Sequence, residues 1–245
     1  MTTQSDPLKA RAEALRLHGL LANWGEFADK PGLLESIIAW EEQERRARSL
    51  ARRTADARLP RFKPLSDFDW SWPRSCDRGA VARLMSADFV AAPANVVLVG
   101  PGGTGKTAIA ANLANQALVG GHTVRFANAA AMLSELAAID SDSGLSRRLG
   151  RYRRPHLLII DELGYMTFTN RQTDLLFAVV ASRYQRAATI VTTNLGFRDW
   201  PRVMPGSSCA AALVDRLVHG AEIVAIDGDS WRGRHLDRAE PPDGD

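Results

Sequence analysis

The chain of 245 residues has few lysines, cysteines and histidines and no long apolar run, and each scarcity excludes a class of protein. Its two cysteines, Cys76 and Cys209, lie far apart and outside any C-x-x-C pair, and its five histidines are scattered. We therefore expect neither a zinc site nor a disulfide framework. No apolar run approaches the roughly 18 residues of a membrane-spanning helix, and no apolar signal segment follows the polar residues 1–6. These features predict a soluble, cytoplasmic protein.

Lysine is the scarcest basic residue: four lysines occur, and Lys106 is the only one beyond residue 63. It lies in a stretch that follows an apolar predicted strand, 95–99, and fits the pattern G-x-x-x-x-G-K-[ST] of phosphate-binding loops. In such a loop, backbone N–H groups turn toward an anion, and the following helix points its positive end at the same place. The predicted nucleotide-binding residues are Gly100, Pro101, Gly102, Gly103, Thr104, Gly105, Lys106 and Thr107.

Two side chains of this loop have predicted chemical roles. Lys106 is predicted to contact the β- and γ-phosphates during catalysis, and Thr107 is predicted to bind Mg²⁺. The guanine-reading motif N-K-x-D requires a second lysine downstream, and the sequence has none. The loop is therefore predicted to bind ATP. The alternative interpretation is a glycine-rich turn that only caps a helix.

A pair of acidic residues ends the next strongly apolar segment. Residues 156–160 have the continuous apolar character of a buried parallel strand and lead into Asp161 and Glu162. Two adjacent acids at the end of a buried strand are costly unless a cation or a water network occupies them. Asp161 is predicted to hold Mg²⁺, and Glu162 is predicted to be the base that polarises the attacking water. The alternative is a strand that ends in a solvated acidic turn.

Two further polar residues are candidates for catalysis. Asn194 directly follows a predicted strand, 188–193, where its amide would reach the γ-phosphate and the water, although an asparagine after a strand is usually a turn residue. Arg216 lies among apolar neighbours on a short predicted helix. It either pairs with Asp215 or another acid, or it serves the γ-phosphate of a neighbouring subunit as an arginine finger.

Several stretches together resemble one known family, the IstB-like helper ATPases of bacterial insertion sequences. This family belongs to the AAA+ initiator clade, together with DnaA and the helicase loader DnaC. The most specific of the stretches is the string Asp-Glu-Leu-Gly-Tyr at 161–165. Two positions depart from the usual pattern, Ala108 and Thr193, and neither threatens ATP binding. The other stretches are the phosphate loop at 100–107 and the segments 15–20, 182–184, 192–195 and 215–217.

The resemblance implies a fold and a set of partners. It implies a P-loop AAA+ domain that hydrolyses ATP with Mg²⁺, in homo-oligomers that bind ATP at their subunit interfaces. It favours the finger role for Arg216. If Arg216 is not the finger, our next candidates are Arg183 and Arg186. It also implies a complex that assembles on duplex DNA, deforms it and presents it to an IstA-like partner transposase.

The segment before the ATPase region concentrates positive charge. Against a net charge of +3 for the chain, eight basic residues and one acid, Asp56, occur between residues 45 and 63. The alternatives are a solvated helix face and a surface that contacts the DNA phosphates without reading bases, and we favour the DNA surface. The predicted DNA-binding residues are Arg45, Arg46, Arg48, Arg52, Arg53, Arg58, Arg61 and Lys63.

The pattern of elements predicts three regions. Residues 1–65 are predicted to form a helical domain for binding DNA or a partner and for oligomerisation, with helices at about 8–27 and 33–58 separated by a break at Pro31. Residues 66–232 alternate strands and helices, which predicts a parallel sheet flanked by helices. Residues 233–245 are a polar tail, so no C-terminal lid domain is expected, and a role for Arg232 stays open.

Two other functions are kept as alternatives. A DnaC-like helicase loader would use the N-terminal helices to hold a replicative helicase and would favour single-stranded DNA. A small-molecule phosphotransferase would require an acceptor pocket and a closing lid, and it would act without DNA or oligomerisation.

Overall fold

The structure, a computed structural model, describes residues 6–27, 29–204 and 208–231. The chain divides into two compact units, residues 1–52 and residues 53–245. This division lies earlier in the chain than the boundary predicted at residue 65. The functional domain assignment itself stays a prediction, and the tail 233–245 and Arg232 lie outside the described residues.

The first unit is helical. Helix α1, Pro7–Ala14, is capped by the Asp6 carboxylate, which accepts a hydrogen bond from the Leu8 N–H at 3.0 Å. Helix α2, His18–Ala22, follows, then a short 3₁₀ turn, and helix α3, Pro31–Ala57, continues into the second unit. The predicted single helix over 8–27 is wrong because Arg16 adopts φ 54°, a left-handed conformation that ends the first helix.

The second unit alternates strands and helices. Its elements are β1 (Ser75–Cys76), α4 (Arg78–Leu84), α5 (Asp88–Ala91), β2 (Val96–Val99), α6 (Lys106–Val119), β3 (Val124–Asn128), α7 (Ala129–Ala137), α8 (Asp142–Arg153), β4 (Leu157–Leu163), α9 (Asn170–Arg183), β5 (Ala188–Thr193), α10 (Trp200–Val203), α11 (Ala210–Val218) and β6 (Glu222–Asp227). Helices α4 and α5 are separate because Ala87, between them, adopts φ 62°, a left-handed conformation that ends a helix.

The strands form one sheet in the order β1-β6-β2-β5-β4-β3. The pairs β6–β2, β2–β5, β5–β4 and β4–β3 are parallel, and only the two-residue strand β1 pairs antiparallel, with β6. The predicted parallel sheet flanked by helices is confirmed. Because β2, β4 and β5 are neighbours, the residues that follow their carboxyl ends meet at one edge of the sheet.

Apolar packing holds this edge in place. The segment from Leu157 to Ile160 is fully buried, and α7, α8, α9 and α11 contribute to a core cluster with β4 and β5. Helix α9 begins at Asn170, where Thr169 and Gln172 form a reciprocal capping box. No helix among the described residues is both long and apolar enough to cross a membrane.

Candidate active site

The phosphate loop connects the end of β2 to the start of α6, and its glycines are required sterically. Gly103 has φ +77°, and a Cβ atom there would lie 2.1 Å from the Ser230 Oγ. Gly105 has φ +97°, and a Cβ atom there would lie 2.5 Å from Cε2 of Phe68. A side chain at either position would be strained and would collide with its neighbour.

Lys106 is held inside this loop. Its side chain is 5% exposed, and its Nζ donates hydrogen bonds to the carbonyl oxygens of Gly100 at 2.6 Å and Pro101 at 2.5 Å. The Thr104 hydroxyl also donates to the Pro101 carbonyl, at 2.9 Å. Charged phosphate oxygens are stronger acceptors for an ammonium group than neutral carbonyls are. The loop therefore presents a positive charge where a phosphate would be bound.

Three oxygen-bearing side chains converge beside the start of α6. The Thr107 hydroxyl donates to the Asp161 carboxylate, with Oγ1 3.0 Å from Oδ1 and 3.2 Å from Oδ2. The Thr192 hydroxyl donates to the same Oδ1 at 2.6 Å. A hydroxyl and one carboxylate suit Mg²⁺, which prefers hard oxygen ligands and completes its shell with phosphates and water. Thr107 and Asp161 therefore fit the predicted metal site.

Glu162 lies at an irregularity in the sheet. The register of β4 with β5 shifts between Ile160 and Leu163, and Glu162 adopts φ 61°. Its backbone N–H donates to the Thr192 hydroxyl at 2.9 Å, and its Oε2 accepts a hydrogen bond from the Asn128 amide at 2.7 Å. This bulge turns the carboxylate away from the strand ladder. Glu162 consequently lines the cavity above the phosphate loop.

That cavity has a volume of about 690 Å³. The loop residues from Gly102 to Thr107 form one wall, together with Glu162 and Thr192. Aromatic side chains contribute to the lining, namely Phe62, Phe68, Trp72, Tyr165 and Trp231. Flat apolar walls beside a cationic loop suit a ligand with a planar base and a phosphate chain.

A segment after β6 closes over the loop. The backbone N–H of Trp231 donates to the Gly103 carbonyl at 3.0 Å, and the indole N–H of Trp72 donates to the Asp229 carbonyl at 2.9 Å. The two tryptophan rings meet edge to face with centroids 5.1 Å apart. The aromatic wall is therefore attached directly to the phosphate loop.

Comparisons with known proteins agree with this geometry. Residues 10–239 match the family described as IstB-like ATP binding protein. The chain belongs to the IstB-like family. Its predicted resemblance is confirmed, and the chain is a P-loop ATPase.

Individual relatives support the same assignment. A Geobacillus stearothermophilus protein named for ATP binding in insertion sequence IS5376 is 32% identical over 225 residues, which cover 92% of this chain and 86% of the relative. A Pseudomonas aeruginosa protein named likewise for IS21 is 35% identical over 188 residues, covering 77% and 71%. The structure of AMPPCP-bound DnaA from Aquifex aeolicus shares the fold, with a TM-score of 0.57 and 18% identity over 74% of this chain and 55% of that one.

The other predicted catalytic residues of this IstB-like chain lie outside the cavity lining. Asn194 is exposed and directly follows β5, next to Thr193, whose carbonyl accepts a hydrogen bond from the Gly100 N–H at 3.1 Å. Arg216 is half-buried on α11, with its guanidinium 4.8 Å from the centroid of the Phe177 ring. Within the described parts of the chain, no carboxylate forms an ion pair with Arg216.

Arg183, a reserve candidate for the finger, has a structural role in this IstB-like chain. Its side chain is 1% exposed and donates to the carbonyls of Tyr152, Arg153 and Pro155 at 2.8–3.1 Å. It also donates to the Thr189 hydroxyl at 3.1 Å and to the carbonyl of Ala188 at 2.5 Å. Burial lowers the pKa of Arg183 to about 10, so the group stays cationic near neutral pH. A guanidinium enclosed in this way cannot reach a neighbouring subunit, and this earlier candidate is wrong.

The eight predicted DNA-binding residues fall into separate groups. Arg45, Arg46 and Arg48 lie within 4 Å of glutamates one helical turn earlier, and exposed Arg52 follows them on α3. Arg61 and Lys63 line the cavity above the phosphate loop. Arg53 and Arg58 line a different groove of the second unit. Four of the eight residues belong to the first unit and four to the second, and their binding of DNA stays a prediction.

Sequence reasoning missed Asn128 and Thr192, which contact the two acidic residues. Both are polar residues at the carboxyl ends of buried strands, β3 and β5. Their place at the ends of these strands could have identified them, since the predicted parallel sheet already brings the carboxyl ends of its strands to one edge.

Proposed function

We propose that the chain is an ATP-dependent DNA-binding helper of insertion-sequence transposition. It would act in the cytoplasm as a homo-oligomer that assembles on duplex DNA, deforms the duplex and recruits or stimulates a partner transposase. The observation that carries this proposal is the convergence of Lys106, Thr107 and Glu162 on one cavity in a chain of the IstB-like family. The names of its relatives, which refer to insertion sequences, favour transposition over helicase loading.

Each polar group of the site has a role in this proposal. Backbone N–H groups of the loop and the Lys106 ammonium would bind the phosphates of ATP, and the aromatic wall would contact the base. Thr107 and Asp161 would hold Mg²⁺, which neutralises charge on the phosphates when bound. Glu162 would accept a proton from the attacking water, and Asn194 would help to orient that water.

Arg216 would couple ATP binding to assembly of the oligomer. If its guanidinium completes the site of the next subunit, ATP binding and assembly are thermodynamically linked, because each favours the other. Contact with DNA would gather protomers and thereby complete their sites. Hydrolysis would then release the assembly, which is the behaviour expected of a helper that acts transiently on DNA.

The experiment compares the parent with Lys106→Ala and Glu162→Gln. Glu162→Gln preserves shape and removes the base, so we expect it to bind ATP and assemble on duplex DNA while hydrolysis falls by about 10²-fold or more. Lys106→Ala should lose nucleotide binding and assembly together. ATP turnover and electron micrographs with and without duplex DNA provide the two measurements.

Three outcomes would contradict the proposal. Normal turnover by Glu162→Gln would remove its assignment as the base. A parent protein whose assembly and turnover do not respond to duplex DNA would contradict the DNA-dependent role. Pull-down of a replicative helicase, with no capture of an IstA-like transposase, would favour the loader function instead.

A further inference from the structure

A second cavity lies at the edge of the sheet where β3 and β4 begin, opposite the edge that bears the phosphate loop. It is a groove of about 760 Å³, lined at these strands by Thr123, Val124 and Pro155. Asp56 supplies the carboxylate of the lining. The other charged side chains of the lining are six arginines, Arg53, Arg58, Arg125, Arg147, Arg151 and Arg154. We refer to this cavity as the arginine groove.

Two of these arginines form a fixed base. Arg125, on β3, donates from Nη1 to the Asp56 carbonyl at 3.2 Å, and its guanidinium lies 5.8 Å from the centroid of the Tyr152 ring. Arg53 donates from Nη2 to the Leu118 carbonyl at 3.0 Å. Both side chains are partly buried. Their positive charges are therefore held in place before any ligand binds.

The other four arginines have exposed side chains. Helix α8 carries Arg147 and Arg151, and Arg154 directly follows its last residue. Spacings of four and three residues place these arginines on one face of the helix. Arg58 reaches the groove from the end of α3. Within the described residues, none of these four lies within 4 Å of a carboxylate oxygen. Arg148, on another side of α8, is instead paired with Glu135.

The structural role of arginines at a helix end does not account for this arrangement. Arginines in the last turn of α8 would complement the helix dipole, but Arg58 and Arg125 come from other segments. Burial lowers the pKa of Arg125, and the charges of Arg58 and Arg151 lower it further, while Tyr152 opposes the shift. Clustered like charges of this kind repel one another. A polyanion bound along the groove would relieve this repulsion.

We propose that the arginine groove binds the phosphate backbone of duplex DNA. Guanidinium groups match phosphate oxygens with two parallel hydrogen bonds, and a row of them along one helix face suits a ligand with repeated phosphates. The lining offers charge and no set of paired donors and acceptors for base edges, so binding is independent of sequence. This proposal rests on the proposed function, for which it supplies a DNA contact on the ATPase unit.

The experiment measures how duplex binding depends on salt. The variant Arg147→Gln/Arg151→Gln removes two exposed charges, and Arg83→Gln/Arg202→Gln removes two exposed charges elsewhere in the same unit. Binding of a labelled duplex is followed by fluorescence anisotropy, at a saturating non-hydrolysable ATP analogue, between about 50 and 200 mM salt. Binding of the analogue itself serves as the check that each variant is folded.

We expect the groove variant to reduce the slope of log K against log salt by about 1.8, since each lost phosphate contact removes about 0.9. Between about 50 and 200 mM salt, the parent should then lose about 12-fold more affinity than the variant. The control pair should keep the parental slope. Arg147→Lys/Arg151→Lys should restore most of it, because lysine keeps a point charge that contacts phosphate.

The failures of the two proposals are distinguishable. If the parent binds no duplex, the proposed function and the groove proposal both fail. If the parent binds duplex and the groove variant keeps its slope, or the control pair loses as much, only the groove proposal is overturned.

Discussion

Replacing Arg183 with methionine tests whether this arginine supports the fold or reaches another subunit. The substitution keeps a long side chain but removes the donors to the carbonyls of Tyr152, Arg153 and Pro155, which lie at the end of α8. A buried carbonyl left without a donor costs about 1–3 kcal/mol, and water reaching some of these groups reduces the sum. We therefore expect the free energy of unfolding to fall by about 3–5 kcal/mol.

Thermal unfolding followed by circular dichroism provides the measurement. In a chain of this size, each kcal/mol lowers Tm by roughly 2–4 °C, so the expected decrease is roughly 6–20 °C. Arg186→Met is the matched control, because Arg186 is exposed, lies three residues after the end of α9 and should change Tm little. Arg183→Lys should also be destabilised, since an ammonium has three donors and cannot replace the planar guanidinium fork.

The reasoning would be refuted if Arg183→Met unfolded within about 1 kcal/mol of the parent. A stable Arg183→Met protein that binds ATP but no longer hydrolyses it would restore Arg183 as a candidate finger. A loss of stability shared equally by Arg186→Met would mean that the effect belongs to positive charge in general.

Two further predictions concern the active site. Asn128→Ser keeps an N-cap for α7, so stability should change little. The shorter serine cannot make the 2.7 Å hydrogen bond that Asn128 donates to Glu162. The freed carboxylate becomes available to water, and we expect DNA-independent turnover to rise by up to about tenfold. Steady-state ATP hydrolysis without DNA checks this, and an unchanged rate would show that the hydrogen bond does not restrain the base. For Arg216, we expect part of the turnover to return when inactive Arg216→Ala is mixed with inactive Lys106→Ala. The Lys106 variant does not assemble alone, so this requires ATP-bound Arg216→Ala protomers to recruit it into mixed oligomers, in which some sites combine two intact halves. Parental turnover by Arg216→Ala alone would remove it as the finger.

Much of the fold follows from local patterns in the sequence. The strand that ends before Asn194 has the predicted bounds, and α6 begins at Lys106 as the phosphate-loop motif requires. These elements are predictable because apolar periodicity and glycine spacing act within a few residues. The breaks at Arg16 and Ala87 are not, since left-handed backbone at such residues is an exception that tertiary packing selects.

Contacts between residues that are distant in the sequence were harder to predict. The hydrogen bond from Asn128 to Glu162 joins residues on neighbouring strands, and its existence depends on the bulge in β4. The arginine groove combines the end of α3, two residues of β3 and the end of α8. Five arginines between residues 147 and 154 were a visible signal. Which of them pair with acids and which face a cavity is decided by three-dimensional packing.

Because Glu162 has a left-handed backbone conformation, the residue that favours stability at this position differs from the residue that favours activity. A residue with a side chain at φ 61° costs of order 1 kcal/mol relative to glycine, which adopts this conformation readily. Glycine or asparagine at position 162 would therefore make the folded chain more stable while deleting the carboxylate. A library varied at this position and sorted for folding alone should become enriched in catalytically dead sequences. The same library sorted for ATP turnover should return glutamate.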